Sequence, residues 1–338
     1  MTSNRKKKNK VEEKVMEIVV PADATGRRID RYLGSCLYPD YSRSYLTGMI
    51  VTGQIRVDGR RIRKSYRVEE GETIRLQMGV RNPQSPKAED ITLNIIHEEE
   101  HFVVINKPVG LVIHPGTGEK AGTLVNALLH RYPEIARVGV VFRPGVVHRL
   151  DRETTGVIVA ARTNLARYHL VEEFKYRRVG KEYLAVVVGD IPFESDYIDL
   201  PLAKDQRHSE KIKVDRKRGK PASTFYEVTE RFDGFCVANV RIHTGRTHQI
   251  RVHMSHLGFP LVGDPLYGKN KKQFFKAVVE ECASAGRPIP SIRRQALHAR
   301  VLSFLHPITK EKVVFEAPLL PDMAELLSWL RKERPLKG

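Results

Sequence analysis

An α+β architecture is expected for this 338-residue chain: a small α/β domain, then a larger domain built on a mixed, largely antiparallel sheet. Two observations predict it. Short apolar or alternating runs that read as strands outnumber stretches with helical spacing, and they lack the strict strand–helix alternation of a parallel sheet. A self-contained set of helix and turn signals also precedes a Pro-rich junction, and the chain is long enough for a full core plus such an extra unit. The expected divisions are a basic tail at 1–14, a front domain at 15–78, a linker at 79–90, the large domain at 91–326 and a second basic tail at 327–338.

The elements follow in order. Arg5-Lys6-Lys7-Lys8 marks the polar start. In the front domain Ile29, Tyr32, Leu33 and Cys36 recur at helical spacing. Ser42 is placed to cap a second helix running through Met49-Ile50-Val51, and Gly53 to end it. Ile55-Arg56-Val57 runs into Asp58-Gly59, a hairpin signal, and Thr73 to Leu76 makes a later strand. Asn82-Pro83 and Ser85-Pro86 punctuate the linker. Phe102 to Ile105 opens the large domain, and Pro115-Gly116-Thr117-Gly118 marks tight turns. Thr123 caps a helix carrying Leu124, Ala127 and Leu128, expected to support the loop that follows. Val157 to Ala161 is a buried strand, Thr163 caps another helix, and Lys181 to Gly189 is a sheet strand. Arg207 to Lys220 reads as a basic loop. Ser223 to Arg231 and Phe235 to His243 form a hairpin about Asp233-Gly234, and two helices follow at His248–Leu257 and Gln273–Ala285.

Composition narrows the partner. The chain has 58 Lys+Arg against 40 Asp+Glu, a net charge of +18, so a polyanion is the expected partner and nucleic acid the first choice. No run of about 18 apolar residues is present to span a membrane, and no leader-like apolar core follows the first lysines. Cys36, Cys236 and Cys282 are few and scattered, which suits a reducing compartment, the cytoplasm, and gives no Cys-rich zinc site.

The chemistry centres on His148-Arg149-Leu150-Asp151 followed by Thr154-Thr155-Gly156. Asp151 sits on a polar loop leading into the apolar strand, where a rigid scaffold can hold a reactive side chain. By itself an Asp between Arg149 and Arg152 reads as a neutralised surface acid. Three further stretches stand with it: Lys107-Pro108-Val109-Gly110-Leu111-Val112-Ile113-His114-Pro115; Lys181-Glu182-Tyr183-Leu184-Ala185; and Thr244 to His253 continuing through Gly263-Asp264-Pro265-Leu266-Tyr267-Gly268. In this order they resemble the motifs of the RluA-type pseudouridine synthases, over about Glu89 to Met323. Arg-Ile-Asp-Arg-Tyr-Leu at 28–33, Ser-Arg-Ser-Tyr-Leu at 42–46 and Ile-Arg-Val-Asp-Gly at 55–59 resemble the S-four RNA-binding domain, which places the chain nearest the RluD-like branch.

The resemblance implies an RNA pseudouridine synthase with Asp151 as its catalytic carboxylate, acting as nucleophile at the anomeric carbon or as base at the neighbouring ribose carbon. Arg251 would be the basic partner that favours the ionised carboxylate, and Tyr183 the aromatic that packs on the target base and assists proton removal from carbon. Arg149 would fill the space left by the flipped uridine, bind phosphate, or merely buttress Asp151. Lys107, Arg246 and His248 would line the cleft, and Arg27, Arg31, Arg43 and Arg61 would contact RNA from the front domain. The isomerisation is neither redox nor hydrolytic, so it calls for no cofactor and no metal. Large-subunit ribosomal RNA is the expected substrate, transfer RNA the second, and the protein is expected to act as a monomer. Three rivals compete: a metal-dependent RNA hydrolase built on His243, His248, His253 and His256, a kinase suggested by His148 to Asp151, and a non-catalytic ribosome-assembly protein. The first lacks a completing acid and the second has the wrong residue order. The third is disfavoured because Asp151, Tyr183 and Arg251 are all in place.

Overall fold

The structure is a computed structural model that describes residues 14–38, 41, 43–78, 85–116, 119–140, 142–208 and 210–336. The front unit is β1 (Lys14–Val19), α1 (Ile29–Cys36), α2 (Arg43–Thr52), β2 (Ile55–Val57), β3 (Arg60–Arg61) and β4 (Thr73–Met78), with an antiparallel sheet ordered β1-β4-β2-β3. Ile29, Leu33, Leu46, Ile55, Ile74 and Leu76 form its own core. The β2–β3 turn forms at Asp58-Gly59, both with positive φ (46° and 75°), the backbone that a two-residue hairpin requires. Ser42, the expected cap of α2, lies outside the described residues, as do Thr117 and Gly118.

The large unit follows as β5 (Ile95–Glu98), β6 (Phe102–Lys107), α3 (Leu124–Arg131), β7 (Gly139–Val140), β8 (Arg143–Pro144), β9 (Thr155–Ala161), α4 (Asn164–Lys175), β10 (Gly180–Val188) and β11 (Ser195–Asp199). Then come β12 (Leu202–Lys204), β13 (Ile212–Val214), β14 (Ser223–Phe232), β15 (Phe235–Ile242), α5 (Gln249–His256), α6 (Lys269–Ser284), β16 (Leu297–Leu305), β17 (Lys312–Glu316) and α7 (Pro321–Glu333). Its main sheet has nine strands ordered β11-β14-β15-β10-β16-β9-β6-β5, with β17 also paired to β16. Among the described residues every pairing in it is antiparallel except β9 with β16, so the mixed, largely antiparallel expectation holds. One core lies against Tyr183, Ala185 and Val187 of β10, and a second lies against Leu184, Val186 and Val188 on its opposite face under α6 and α7. This is the period-two alternation of a strand covered on both sides.

Two expectations are corrected. Residues 327–333 are not tail: α7 buries Leu327, Trp329 and Leu330, because the apolar stripe begun at Met323 and Leu326 continues past the expected boundary. The stretch 207–220 is not wholly loop, since β13 pairs with β12 and lays Ile212 and Val214 over Leu202 and Val252. The described part of the expected linker is anchored: the Lys87 carbonyl accepts from Asn126, and the Glu89 carboxylate accepts from the Gly122 N–H. Thr123 and Thr163 do cap α3 and α4, Thr123 within a reciprocal capping box with Asn126.

Candidate active site

Asp151 lies on the loop just before β9, the strand that pairs in parallel with β16 through Thr155–His298 and Gly156–Ala299. Gly156 takes φ 110°, and a Cβ there would run into the Ala299 backbone, so the motif glycine is what lets the two strands close. Four side chains from elsewhere in the chain then grip this loop. Lys107, fully buried, donates to the carbonyls of Pro108 (2.8 Å), Leu111 (3.0 Å) and Arg152 (2.7 Å). Burial pulls its amine down to about 7, while three carbonyl acceptors match the three N–H bonds of the ammonium form. Arg294 donates to the Glu153 carbonyl (3.1 Å) and the Thr155 hydroxyl (3.2 Å) and is itself held in a two-pronged pair by Asp322. Gln295 donates to the Thr154 hydroxyl (3.3 Å). His298 shares a 2.9 Å hydrogen bond with Thr155 through Nδ1, and its Nε2 faces the Ala317 carbonyl at 3.1 Å. With Nε2–H donating to that carbonyl, Nδ1 is left to accept from Thr155. The loop is thus over-determined before any substrate arrives.

The Asp151 carboxylate, by contrast, is lightly engaged. Arg251 Nη1 lies 3.4 Å from Oδ2, His248 Nε2 lies 3.9 Å from the same oxygen, and among the described residues no donor bonds Oδ1. Arg251, only 4% exposed on α5, gives its main pair to Asp264, with Nε at 2.7 Å and Nη2 at 2.9 Å. Burial works against the Arg251 charge, and the bond to Asp264 more than restores it. Asp264 also accepts from the Leu266 and Tyr267 N–H groups, and the Arg251 guanidinium lies over the Tyr267 ring at 5.2 Å. The Tyr267 hydroxyl accepts from the Ile212 N–H and sits 2.8 Å from His248 Nδ1. Burial lowers the His248 pKa, which keeps the imidazole neutral, so the Tyr267 contact leaves its N–H on Nε2, facing Asp151. His248 caps α5 with φ 54°, the left-handed conformation that turns the ring toward the cleft.

Tyr183 of β10 is 8% exposed, and burial, reinforced by the charge on Asp151, pushes its hydroxyl well above the usual phenol value. It is therefore a neutral phenol at physiological pH. Asp151, Tyr183, Arg149, Arg246, His248 and Arg251 line one cleft of about 410 Å³, in which Asp151 is the lone carboxylate among the described residues. Arg149 is exposed and makes no ion pair among the described residues, which does not support the buttressing role. Arg246 keeps its backbone N–H on Gln249 and its Nε on the Pro221 carbonyl (3.1 Å). Lys181, carried opposite on β10, is drawn down to about 8 by burial.

One expected RNA contact is corrected: Lys107 does not line the cleft, because its buried amine is spent on loop carbonyls. Arg43 stays half-exposed while it and Arg28 both pair with the buried carboxylate of Asp30. In the front unit Arg31 and Arg61 are exposed without an ion pair among the described residues, and Arg27 reaches Ser35 and the Tyr32 ring. The ring nitrogens of His253, one of the histidines considered as a metal ligand, bond Thr224 and the Leu200 carbonyl. Gln249, Asp264 and Tyr267 lie within the motif stretches but carry no role there, and Arg294 and His298 lie outside the stretches quoted above. Gln249 ties the Thr244–His248 loop to β14 through Thr244, Ser223 and Thr224.

His148 is structural rather than reactive. It stacks on Phe174 with centroids 4.5 Å apart, and its Nε2 accepts the Val159 N–H at 3.0 Å, so that nitrogen carries no proton. Burial pushes its pKa down to about 3. Below about pH 6.5 the unfolded imidazole takes up a proton that the folded one refuses, so the stability it lends falls with falling pH, toward about 3. Wild-type protein is expected to lose roughly 1.4 kcal/mol per pH unit from this group between about pH 6 and 4. Urea unfolding at pH 7 and pH 5 should therefore show a smaller acid loss in His148→Gln. Equal losses would mean that the imidazole is charged in place.

Comparison with known proteins agrees with this geometry. A family model described as RNA pseudouridylate synthase matches residues 101–256, and an S4 domain model matches residues 27–74. The chain is 43% identical over 320 residues to the ribosomal large subunit pseudouridine synthase D of Xanthomonas campestris, covering 94% of this chain and 93% of that one. It is 38% identical over 317 residues to the uncharacterized RNA pseudouridine synthase YlyB of Bacillus subtilis, covering 94% and 98%. The solved structure of human RNA pseudouridylate synthase domain containing 1 superposes with a TM-score of 0.50 at 26% identity, over 74% of this chain and 99% of that one. Identity at this level runs through nearly the whole of both chains and takes in both the gripped loop and the cationic cleft, so the chain belongs to the RNA pseudouridine synthases, isomerases that act on RNA.

Proposed function

We propose that the chain isomerises specific uridines of large-subunit ribosomal RNA, acting as a cytoplasmic monomer with residues 15–78 as an RNA-gripping module and residues 91–333 as the catalytic domain. One observation carries the site assignment: among the described residues Asp151 is the lone carboxylate lining a cleft of cations, on a loop gripped by four side chains, with no donor on Oδ1. The substrate class rests on the printed name of the Xanthomonas relative. No helix among the described residues is long and apolar enough to cross a membrane, in keeping with the proposed compartment.

The reaction breaks the bond from ribose C1′ to uracil N1 and makes one from C1′ to C5, moving a proton from C5 while N1 gains one. Asp151 Oδ1 either attacks C1′ or removes the proton from C2′, and both roles need an ionised carboxylate. A primary isotope effect with uridine deuterated at C2′ would assign the second role, and its absence the first. The target uridine must leave its stack, at a cost of a few kcal/mol, and Arg149 is free to occupy the vacated space or hold a phosphate. Tyr183 packs on the base, and its neutral hydroxyl takes the proton leaving C5 as it passes its own to the Asp151 carboxylate, which is free again once C1′ has bonded to C5. Tyr183→Phe keeps the packing and removes the relay, so kcat is expected to fall about 10²-fold with KM unchanged. A rise in KM alone would restrict Tyr183 to packing.

The deciding experiment maps pseudouridine in cellular RNA from wild-type, gene-deleted and Asp151→Asn strains. Specific sites in large-subunit ribosomal RNA should vanish from both altered strains. Loss confined to transfer RNA would replace the substrate, and no loss in either strain would favour an assembly factor.

A further inference from the structure

Three aromatic rings stand exposed or half-exposed on the outer strands of the large sheet. Tyr197 of the edge strand β11 is 59% exposed. Strand register sets it directly opposite Phe225 on β14, and Phe225 opposite Arg241 on β15. The Tyr197 and Phe225 centroids are 4.8 Å apart at 51°, and the Arg241 guanidinium lies 4.9 Å from the Phe225 centroid. His243, one residue beyond β15, lies nearly parallel to Tyr197, 6.4 Å away and tilted by 18°. His243 also lines the cleft that holds Asp151. A continuous row of π faces thus starts at the cleft rim and runs to the sheet edge.

A tyrosine left mostly in water adds little to the core, and an open aromatic edge strand is an aggregation hazard. Aromatic faces beside a cationic groove are, however, the standard equipment for holding unpaired bases, because every base offers a π face. We propose that Tyr197, with Phe225 and His243, is a stacking platform for an unpaired base of the RNA strand that enters the cleft. The charges around it divide the labour. Glu227 pairs with Arg241 at 3.5 Å and the edge strand carries Asp199, so phosphates are not drawn to the row itself. They are held instead by Arg246, Lys175 and Arg177 on the cleft wall. The platform takes the base and the wall takes the backbone, so a single-stranded stretch beside the target uridine is selected over duplex. The proposal rests on the RNA-modifying reading of the cleft.

The test compares wild-type protein, Tyr197→Ala and Tyr197→Phe, with thermal melts to show that all are folded. Binding of a short fluorescein-labelled oligouridylate is followed by anisotropy over a range of salt. Tyr197→Ala is expected to weaken binding about tenfold with the salt slope unchanged, and Tyr197→Phe to bind as wild type. A matching oligomer of abasic ribose phosphates should bind all three alike. Unchanged oligouridylate binding by Tyr197→Ala would overturn the platform, as would an equal loss for the abasic oligomer. Pseudouridine formation in bulk ribosomal RNA by the wild-type protein is measured alongside. If the wild type is active and Tyr197→Ala binds normally, the platform alone fails. If the wild type forms no pseudouridine in any RNA, the underlying reading fails.

Discussion

Asp151→Asn is expected to leave a folded, RNA-binding protein in which pseudouridine formation falls by at least about 10⁴-fold. The fold should survive because the loop is held by backbone carbonyls and the Thr154 and Thr155 hydroxyls, not by the carboxylate. Lys107 reaches the Arg152 carbonyl, Arg294 the Glu153 carbonyl, and His298 the Thr155 hydroxyl. Among the described residues the carboxylate faces the Arg251 guanidinium at 3.4 Å and the neutral His248 ring at 3.9 Å, and Arg251 retains Asp264 when Asp151 is neutralised. An amide of the same shape can neither attack C1′ nor accept a proton from C2′ at a useful rate. Tritium release from C5-labelled uridine in RNA reads the reaction, and filter binding reads the complex. Activity within about tenfold of wild type would remove Asp151 from the chemistry. Lost activity together with lost RNA binding would recast it as a binding residue.

Arg251→Met is expected to abolish activity and, unlike Asp151→Asn, to unfold the protein at markedly lower urea. Asp264 is 1% exposed, and its carboxylate would be left buried without its cation, a defect worth about 3–5 kcal/mol. The double variant Arg251→Met with Asp264→Asn separates the two roles. The Asn oxygen still accepts from the Leu266 and Tyr267 N–H groups but carries no charge. About half of the lost stability should return, while activity should not, because Asp151 Oδ2 is then left with the neutral His248 ring and no cation. Recovery of activity along with stability would mean that Arg251 serves the fold alone.

These two variants mark how far the sequence could be read. Local chemistry announced itself through short-range rules. Thr123 and Thr163 cap their helices, Asp58-Gly59 makes its turn, and the unbroken apolar run after Asp151 becomes a strand buried along its whole length. The motif stretches nominate Asp151, Tyr183 and Arg251 as one site, and the three side chains line a common cleft. Lys107 shows where such reading stops. A lysine in a motif suggests a phosphate contact, yet this one is spent on three carbonyls, one of them 45 residues away. Arg43 is similar, since its partner Asp30 stands on the preceding helix and sequence spacing does not reveal the pair.

What the sequence alone determined was the order of elements, the two-part architecture and the cationic character, and it nominated Asp151 as the candidate carboxylate, because periodicity, capping and motif chemistry act over a few residues. What only the tertiary structure decided was which polar side chains act on that carboxylate and which merely hold its loop. Arg251 meets Asp151 across 100 positions, and Arg294 meets Glu153 across 141. Contacts of that range are set by how β9 and β16 pair and by what their burial leaves in need of a hydrogen-bond partner, which no local pattern encodes.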